Sequence, residues 1–391
     1  MNEANSQQKQ PNESDFLCYE GRNSSLREDP YCFACQSYDN KTVVTGLKRC
    51  SRCHVAWYCG AGCQKKHFKH HRNLCRKISK GLEDLDLTAI NLRNFTGVPD
   101  DNEVLESKLD TLGTSIDYME LSTRASYISA RSALATAYWE SAYESELKEV
   151  WEKSLHYYSE QLRLDAAFRN EARSRFRVPF ILLYLNRDDE AYAFIRYWLK
   201  VEEVGEDDDF KPWFGPSGQG DQSRWFFANC RYNDIFKECP NLEHVKLTAP
   251  FLMAIVIIKL RIIASHDAAV RALDFTISET GAKRIQEVKA IVQEMLIDTG
   301  IDVAHQREQL NHLLDHIQLE EPDMFNATLK SEYLHDTDTE ELDDMVYHFY
   351  TFPVDFTLAS GLRLYYRVPG AADVILPRRT KTYEGFYDYW M

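Results

Sequence analysis

The sequence predicts a mainly α-helical protein, with a small metal-braced module followed by a large helical domain of repeat-like form. Three observations lead there. Metal-type ligands crowd into residues 32–75, pairwise spaced. Beyond residue 118, apolar side chains recur at helical intervals in one segment after another. The chain has 391 residues, 44% of them apolar and 13% aromatic, which is globular composition with room for more than one domain.

Residues 1–31 open with "MNEANSQQKQPNESD", polar and without an apolar h-region, and read as a disordered tail rather than a secretory signal. The expected location is therefore cytoplasmic or nuclear, where thiols stay reduced. A net charge of −15 argues against a protein that coats nucleic acid or anionic membrane over its whole surface.

Seven cysteines, Cys32, Cys35, Cys50, Cys53, Cys59, Cys63 and Cys75, lie in the module, while Cys18, Cys230 and Cys239 are scattered. A C-x2-C pair on a tight turn brings two sulfurs onto one ion. Two such pairs, further ligands at x3 spacing and a histidine supply eight donors, enough for two tetrahedral zinc ions. Zinc suits closed sites of four cysteines, or three cysteines and a histidine, better than copper or iron does. Three histidines compete for the last place: His67, His70 and His71. His71 stands four residues before Cys75, on one face of the helix that "CQKKHFKHHRNLCRKISK" predicts. With all positions filled, no site is left open to activate water, so the zinc is expected to be structural.

From Cys50 onward, the spacing, the Tyr58-Cys59 pair, and Cys63-Gln64 followed by His71 and Cys75 resemble a MYND-type zinc finger over residues 32–75. The resemblance selects His71. It also implies interleaved ligation, with Cys32, Cys35, Cys59 and Cys63 on one zinc and Cys50, Cys53, His71 and Cys75 on the other. Fingers of this family bind short proline-rich peptides of partner proteins, often transcriptional regulators. The matching positions here are Val55 to Tyr58, Gln64 and Phe68, with Phe68 where the family usually has Trp. A fourteen-residue gap between Cys35 and Cys50 is longer than in compact members and is read as an extended hairpin.

Between Lys48 and Lys80 there are ten basic residues and no Asp or Glu. A nucleic-acid surface is one reading. A solvated helix face that offsets thiolate charge is preferred, because the remaining chain is acidic.

Residues 76–117 read as a linker with short helices, and 118–391 as the α-helical domain. "ESELKEVWEKSLHYYSEQLRL" sets Leu147, Trp151, Leu155, Tyr158 and Leu162 on one stripe. "RSRFRVPFILLYLNRDDEAYAFIRYWLK" gives two helices joined at "NRDD", and this region is similar to MYND-containing proteins, many of them fungal, that carry a helical domain after the finger. An acidic, aromatic loop is expected over about 202–245. The segment at 247–264 is apolar but holds Lys259 and Arg261, so it reads as a buried core helix rather than a membrane span. Near the end, "RLYYRVPG" and "ADVILPRRTKTYEGFYDYW" read as short extended segments, and "HDTDTEELDDM" as a solvated helix start.

Enzymatic signatures are weak. The pair His312 and His316 with Asp315 is better read as the polar face of an amphipathic helix than as a protease site. MYND proteins include SET-domain lysine methyltransferases, but only 31 residues precede Cys32 and no Asn-His-Ser-type segment occurs. The expectation is a non-enzymatic adaptor with protein partners and no direct nucleic-acid or membrane binding. The alternative is a SET-like lysine methyltransferase.

Overall fold

The computed structural model describes residues 23–39, 41–96, 118–164, 172–204, 234–237, 249–280, 302–320 and 353–378. These residues are mainly helical and form two compact units, one within 25–230 and one within 231–391 together with residues 23–24. The sequence reads 118–391 as one domain, whereas its described residues up to 204 fall in the same unit as the metal module.

In the first unit, helix α1 (Phe33–Asp39) precedes strands β1 (Lys48–Arg49) and β2 (Trp57–Tyr58). The strands pair antiparallel, with Lys48 opposite Tyr58 and Arg49 opposite Trp57. The stretch after Cys35, read as a hairpin, begins instead in α1, and the hairpin is formed by β1 and β2. Five helices follow: α2 (Ala61–Thr96), α3 (Tyr118–Ser145), α4 (Lys148–Leu164), α5 (Ala172–Tyr184) and α6 (Asp188–Val204). Each packs on its neighbour in sequence, α2 on α3 through to α5 on α6. Such nearest-neighbour packing is what repeat-like helical arrays do.

The expected linker differs most from what is found. Helix α2 passes through Cys75 without a break and runs to Thr96, so residues 76–96 are one helix; 97–117 lie outside the described residues. A buried face holds it there, with Ile78, Ala89 and Leu92 inside. Gly81 marks the closest approach to α3, since a Cβ at this position would sit 3.1 Å from Leu134 Cδ1 and 3.5 Å from its Cα.

The core of this unit is aromatic. Trp151 stacks on Tyr184 at 4.2 Å between centroids, and Trp139 meets both rings edge-on at 5.2 and 6.0 Å. Geometries of this kind add about 0.5–1.5 kcal/mol per pair beyond burial. Between α5 and α6, Asn186 takes a φ of 57°, Arg187 N–H donates to Leu182 O at 2.8 Å and Asn186 N–H to Leu183 O at 3.1 Å. This left-handed cap ends α5 at the expected turn, and Asp188, Asp189 and Glu190 then meet the positive end of the α6 dipole.

In the second unit, α7 (Ala249–Thr280) is flanked by α8 (Val303–Glu320) and α9 (Pro353–Tyr366). Its stretch Ala249–Ala272 is long and apolar enough to cross a membrane, yet residues 249–264 are all buried in protein. Lys259 is fully buried and donates to Ile235 O (2.8 Å), Lys237 O (3.1 Å) and Gln306 Oε1 (2.8 Å). Those bonds satisfy an ammonium that water cannot reach. They also tie α7 and α8 to residues 234–237, inside the stretch read as loop; 205–233 and 238–248 lie outside the described residues. His312 is exposed and His316 half-buried, and the Asp315 carboxylate accepts from Arg378.

The expected extended segments near the end are helical. Residues 363–366 finish α9, a turn with Gly370 at φ 78° follows, and α10 (Ala371–Ile375) comes next. Burial of Leu362, Leu364 and Tyr365 overrides the strand preference of the aromatic run. The stretches at 335–345 and 379–391 lie outside the described residues.

Gly81→Val tests the α2–α3 contact. Overpacking there is expected to cost about 1–3 kcal/mol and lower the Tm by several degrees in circular dichroism. An unchanged melt would mean that the two helices are not held this closely.

Candidate metal centre

Two tight turns build the first half of each cluster. In the first, Cys32 N–H donates to Val43 O at 2.8 Å, Gln36 N–H to Cys32 O at 3.0 Å and Lys41 N–H to Cys35 O at 3.1 Å. In the second, Cys50 N–H donates to Ala56 O at 2.8 Å and His54 N–H to Cys50 O at 3.0 Å, with His54 at φ 56°. The remaining donors come from the end of β2 and from α2: Cys59, Cys63 in the first turn, then His71 and Cys75 on one face.

These eight side chains gather as two sets, Cys32–Cys35–Cys59–Cys63 and Cys50–Cys53–His71–Cys75, with the donor atoms of each within 4.8 Å of one another. The interleaving that the resemblance implies is present. His71, not His67 or His70, joins the second set, through Nε2 at 3.5 Å from Cys53 Sγ. The Sγ atoms of Cys35 stand 3.8 Å from those of Cys59 and Cys63, and Cys50 Sγ is 3.9 Å from Cys75 Sγ. Zinc–sulfur bonds of about 2.3 Å set a tetrahedral S···S edge near 3.8 Å, and an S···N edge near 3.6 Å. The sets therefore fit a zinc-sized ion. The Cys59–Cys63 edge, at 3.2 Å, is shorter than that S···S edge. All seven described cysteines are free thiols.

The electrostatics show why a cation belongs there. Hydrogen bonding with neighbouring thiols, together with burial, raises Cys35 to about 11 and Cys63 to about 12. Cys75 rises to about 12 through burial and the charges of Cys53 and Cys50. Burial opposes ionisation of Cys32 too, but backbone hydrogen bonds at Cys35 and Cys59 outweigh it and bring that thiol to about 7. Each set without metal thus keeps several protons. Burial, aided by His67, lowers His71 to about 4, which leaves the imidazole neutral as a ligand requires.

Supporting contacts reach beyond the eight donors. His67 stacks on His71 at 6.2 Å, and its Nδ1 is hydrogen-bonded to Tyr58 OH at 3.2 Å. His67 therefore steadies the ligand ring without joining a set. Tyr58 is 2% exposed, so among the proposed peptide contacts it is an internal brace. Val55 and Ala56 are buried as well, and β2 is engaged on both sides, by β1 and by a bridge from Trp57 to Cys32. The edge strand of this small sheet is β1. Gln64 and Phe68 are exposed one turn apart on α2; Phe68 is 58% exposed, and the Gln64 side-chain amide makes no hydrogen bond among the described residues.

Sequence reasoning missed the contacts that weld the module to the helices. Arg49 lies over the Trp57 ring at 4.3 Å and donates to both carboxylate oxygens of Glu149 on α4, at 2.8 Å each. Lys77 pairs with the buried Glu140 at 3.1 Å. Residues 23–31, assigned to a disordered tail, are ordered: Arg27 N–H donates to Glu146 O at 2.8 Å, and Tyr31 OH to Ser145 O at 3.0 Å. The Arg49-to-Glu149 spacing of a hundred residues leaves no local pattern from which to read it.

Two zinc ions per chain are expected by metal analysis, with Cys59→Ser lowering the content by about one. The raised thiol values mean that protons must leave as metal enters. Affinity should therefore rise with pH and fall on acidification, with release below about pH 5 followed by a chromophoric chelator. A pH-independent affinity would contradict thiolate ligation.

Comparison with known proteins agrees with this geometry. Residues 32–75 match the MYND finger family. Histone-lysine N-methyltransferase ASHR1 of Arabidopsis thaliana is 34% identical over 65 residues, which are 17% of this chain and 12% of that protein. The match thus spans about an eighth of the relative's length. No solved structure matches the chain.

Proposed function

Residues 32–75 being a MYND-type zinc finger, we propose that this protein is a non-enzymatic intracellular adaptor whose finger docks short proline-rich peptides of partner proteins, among them transcriptional regulators. Cys32, Cys35, Cys59 and Cys63 hold one structural zinc, and Cys50, Cys53, His71 and Cys75 the other. The observation that carries the reading is the exposed pair on α2. Phe68 presents a ring to solvent on the helix that bears His71 and Cys75, and one turn away Gln64 offers a free amide. A proline packs against such a ring, and an extended peptide offers carbonyls to such an amide. The edge strand β1, beside the buried Val55–Tyr58, gives a peptide backbone a place to run.

Two closed sets of four donors favour structure over catalysis, because neither leaves a position for water. Reduced thiols throughout the finger favour a cytoplasmic or nuclear setting. The similarity to ASHR1 motivates the second reading, a lysine methyltransferase, but it covers the finger region alone.

The test is binding of a fluorescent proline-rich peptide to the zinc-loaded full chain. Gln64→Ala and Phe68→Ala should each weaken it about five- to thirty-fold while zinc content stays unchanged. Equal binding by wild type and both variants would remove the finger's peptide role. In parallel, the chain should neither bind nor consume labelled S-adenosylmethionine; methyl transfer to a lysine substrate would establish the second reading instead.

A further inference from the structure

We propose that the outward face of α2 is a second docking surface, shaped for an acidic polypeptide segment that also carries aliphatic side chains. It goes beyond the Gln64–Phe68 patch. Lys65, Lys69, Arg72, Arg76 and Lys80 follow one another at steps of four, three, four and four residues. On an α-helix these steps keep all five within about 80° of arc and along about 22 Å of axis. All five are exposed, and none forms an ion pair or side-chain hydrogen bond among the described residues. Three other cations of the run are paired, Arg49 with Glu149, Lys66 with Asp39 and Lys77 with Glu140, while Lys48 and Arg52 lie off this face, before α2 begins. The five-cation stripe is thus without a carboxylate partner among the described residues, on a chain of net charge −15.

The stripe lies opposite the face that α2 buries, where Ile78, Ala89 and Leu92 are inside. Further along the same outward face come Leu87, 58% exposed, and Ile90, 48% exposed. Like charges three and four residues apart strain a helix, and exposed aliphatics one turn apart forgo burial. A single partner relieves both if it brings carboxylates for the stripe and apolar side chains for its far end. The phosphates of a nucleic acid would pair with the cations but offer nothing to Leu87 and Ile90. They would also meet Glu83 and Asp86, both exposed at that end. Charge and hydrophobicity together therefore select an acidic, aliphatic-bearing peptide.

The zinc-loaded full chain would be titrated, by fluorescence anisotropy, into a labelled peptide of mixed Glu and Asp with leucines near one end, its acidic part matched to the stripe's length of about 22 Å. Arg72→Glu with Arg76→Glu should weaken binding at least about tenfold and flatten its salt dependence. Leu87→Ser with Ile90→Ser should weaken it about fivefold. Far-UV circular dichroism checks that both double variants keep their helix. Phe68→Ala should change the affinity less than about twofold, which separates this surface from the finger's own patch. Wild-type binding by either double variant overturns the proposal, as does equal loss in Phe68→Ala. Tighter binding of duplex DNA that the charge-reversed variant loses would make the stripe a nucleic-acid surface and would overturn it too.

Discussion

The fold of the first unit hangs on interleaved ligation. Each four-donor set takes two cysteines from a tight turn and two donors from further along the chain, so neither can close without fixing the path between them. A module of forty-odd residues buries too little apolar area to hold that path alone. Structural zinc in finger-like peptides contributes on the order of 10–16 kcal/mol. The ion that closes the sets must displace protons from Cys35, Cys63 and Cys75, whose thiols are raised well above the usual range.

Helix α2 transmits this constraint. Its first turns carry Cys63, His71 and Cys75, and its later turns bury Ile78, Ala89 and Leu92. One rigid rod is therefore pinned by coordination at one end and by packing on α3 at the other. The Arg49–Glu149 and Lys77–Glu140 pairs add anchors on either side. Glu140 is buried and accepts from Lys77, whereas the exposed Arg49 pair gains from its two-pronged geometry and the Trp57 ring. A finger fused in this way presents its surface at a fixed angle to the helices behind it. Pre-organisation lowers the entropy lost when a partner docks.

Both docking surfaces proposed for this scaffold lie on α2. The side facing α3 is closed by packing. Gln64 and Phe68 face solvent near the metal sets, and the cationic stripe with Leu87 and Ile90 continues away from them. The second unit follows another rule, in which a fully buried lysine is spent on carbonyls and an amide oxygen to tie its elements together. A polar group so placed specifies one arrangement, because any other leaves the ammonium unpaired.

The sequence by itself determined the seven cysteine donors, because coordination chemistry constrains residue type and spacing together, while the resemblance to a known finger was needed to choose His71 over His67 and His70. It also determined the helices of 118–204 and the α5–α6 turn, where period and cap are local signals. Which side chains would be buried was another matter. Tyr58 matched a peptide-contact position and became an internal brace, and Arg49 looked like one solvated cation among ten. Residues 76–96 read as a linker with short helices, while the buried face that makes them one continuous α2 depends on α3, tens of residues away. Those outcomes rest on contacts between residues far apart in the chain, which carry no periodic mark in the sequence, so only the tertiary structure decided them.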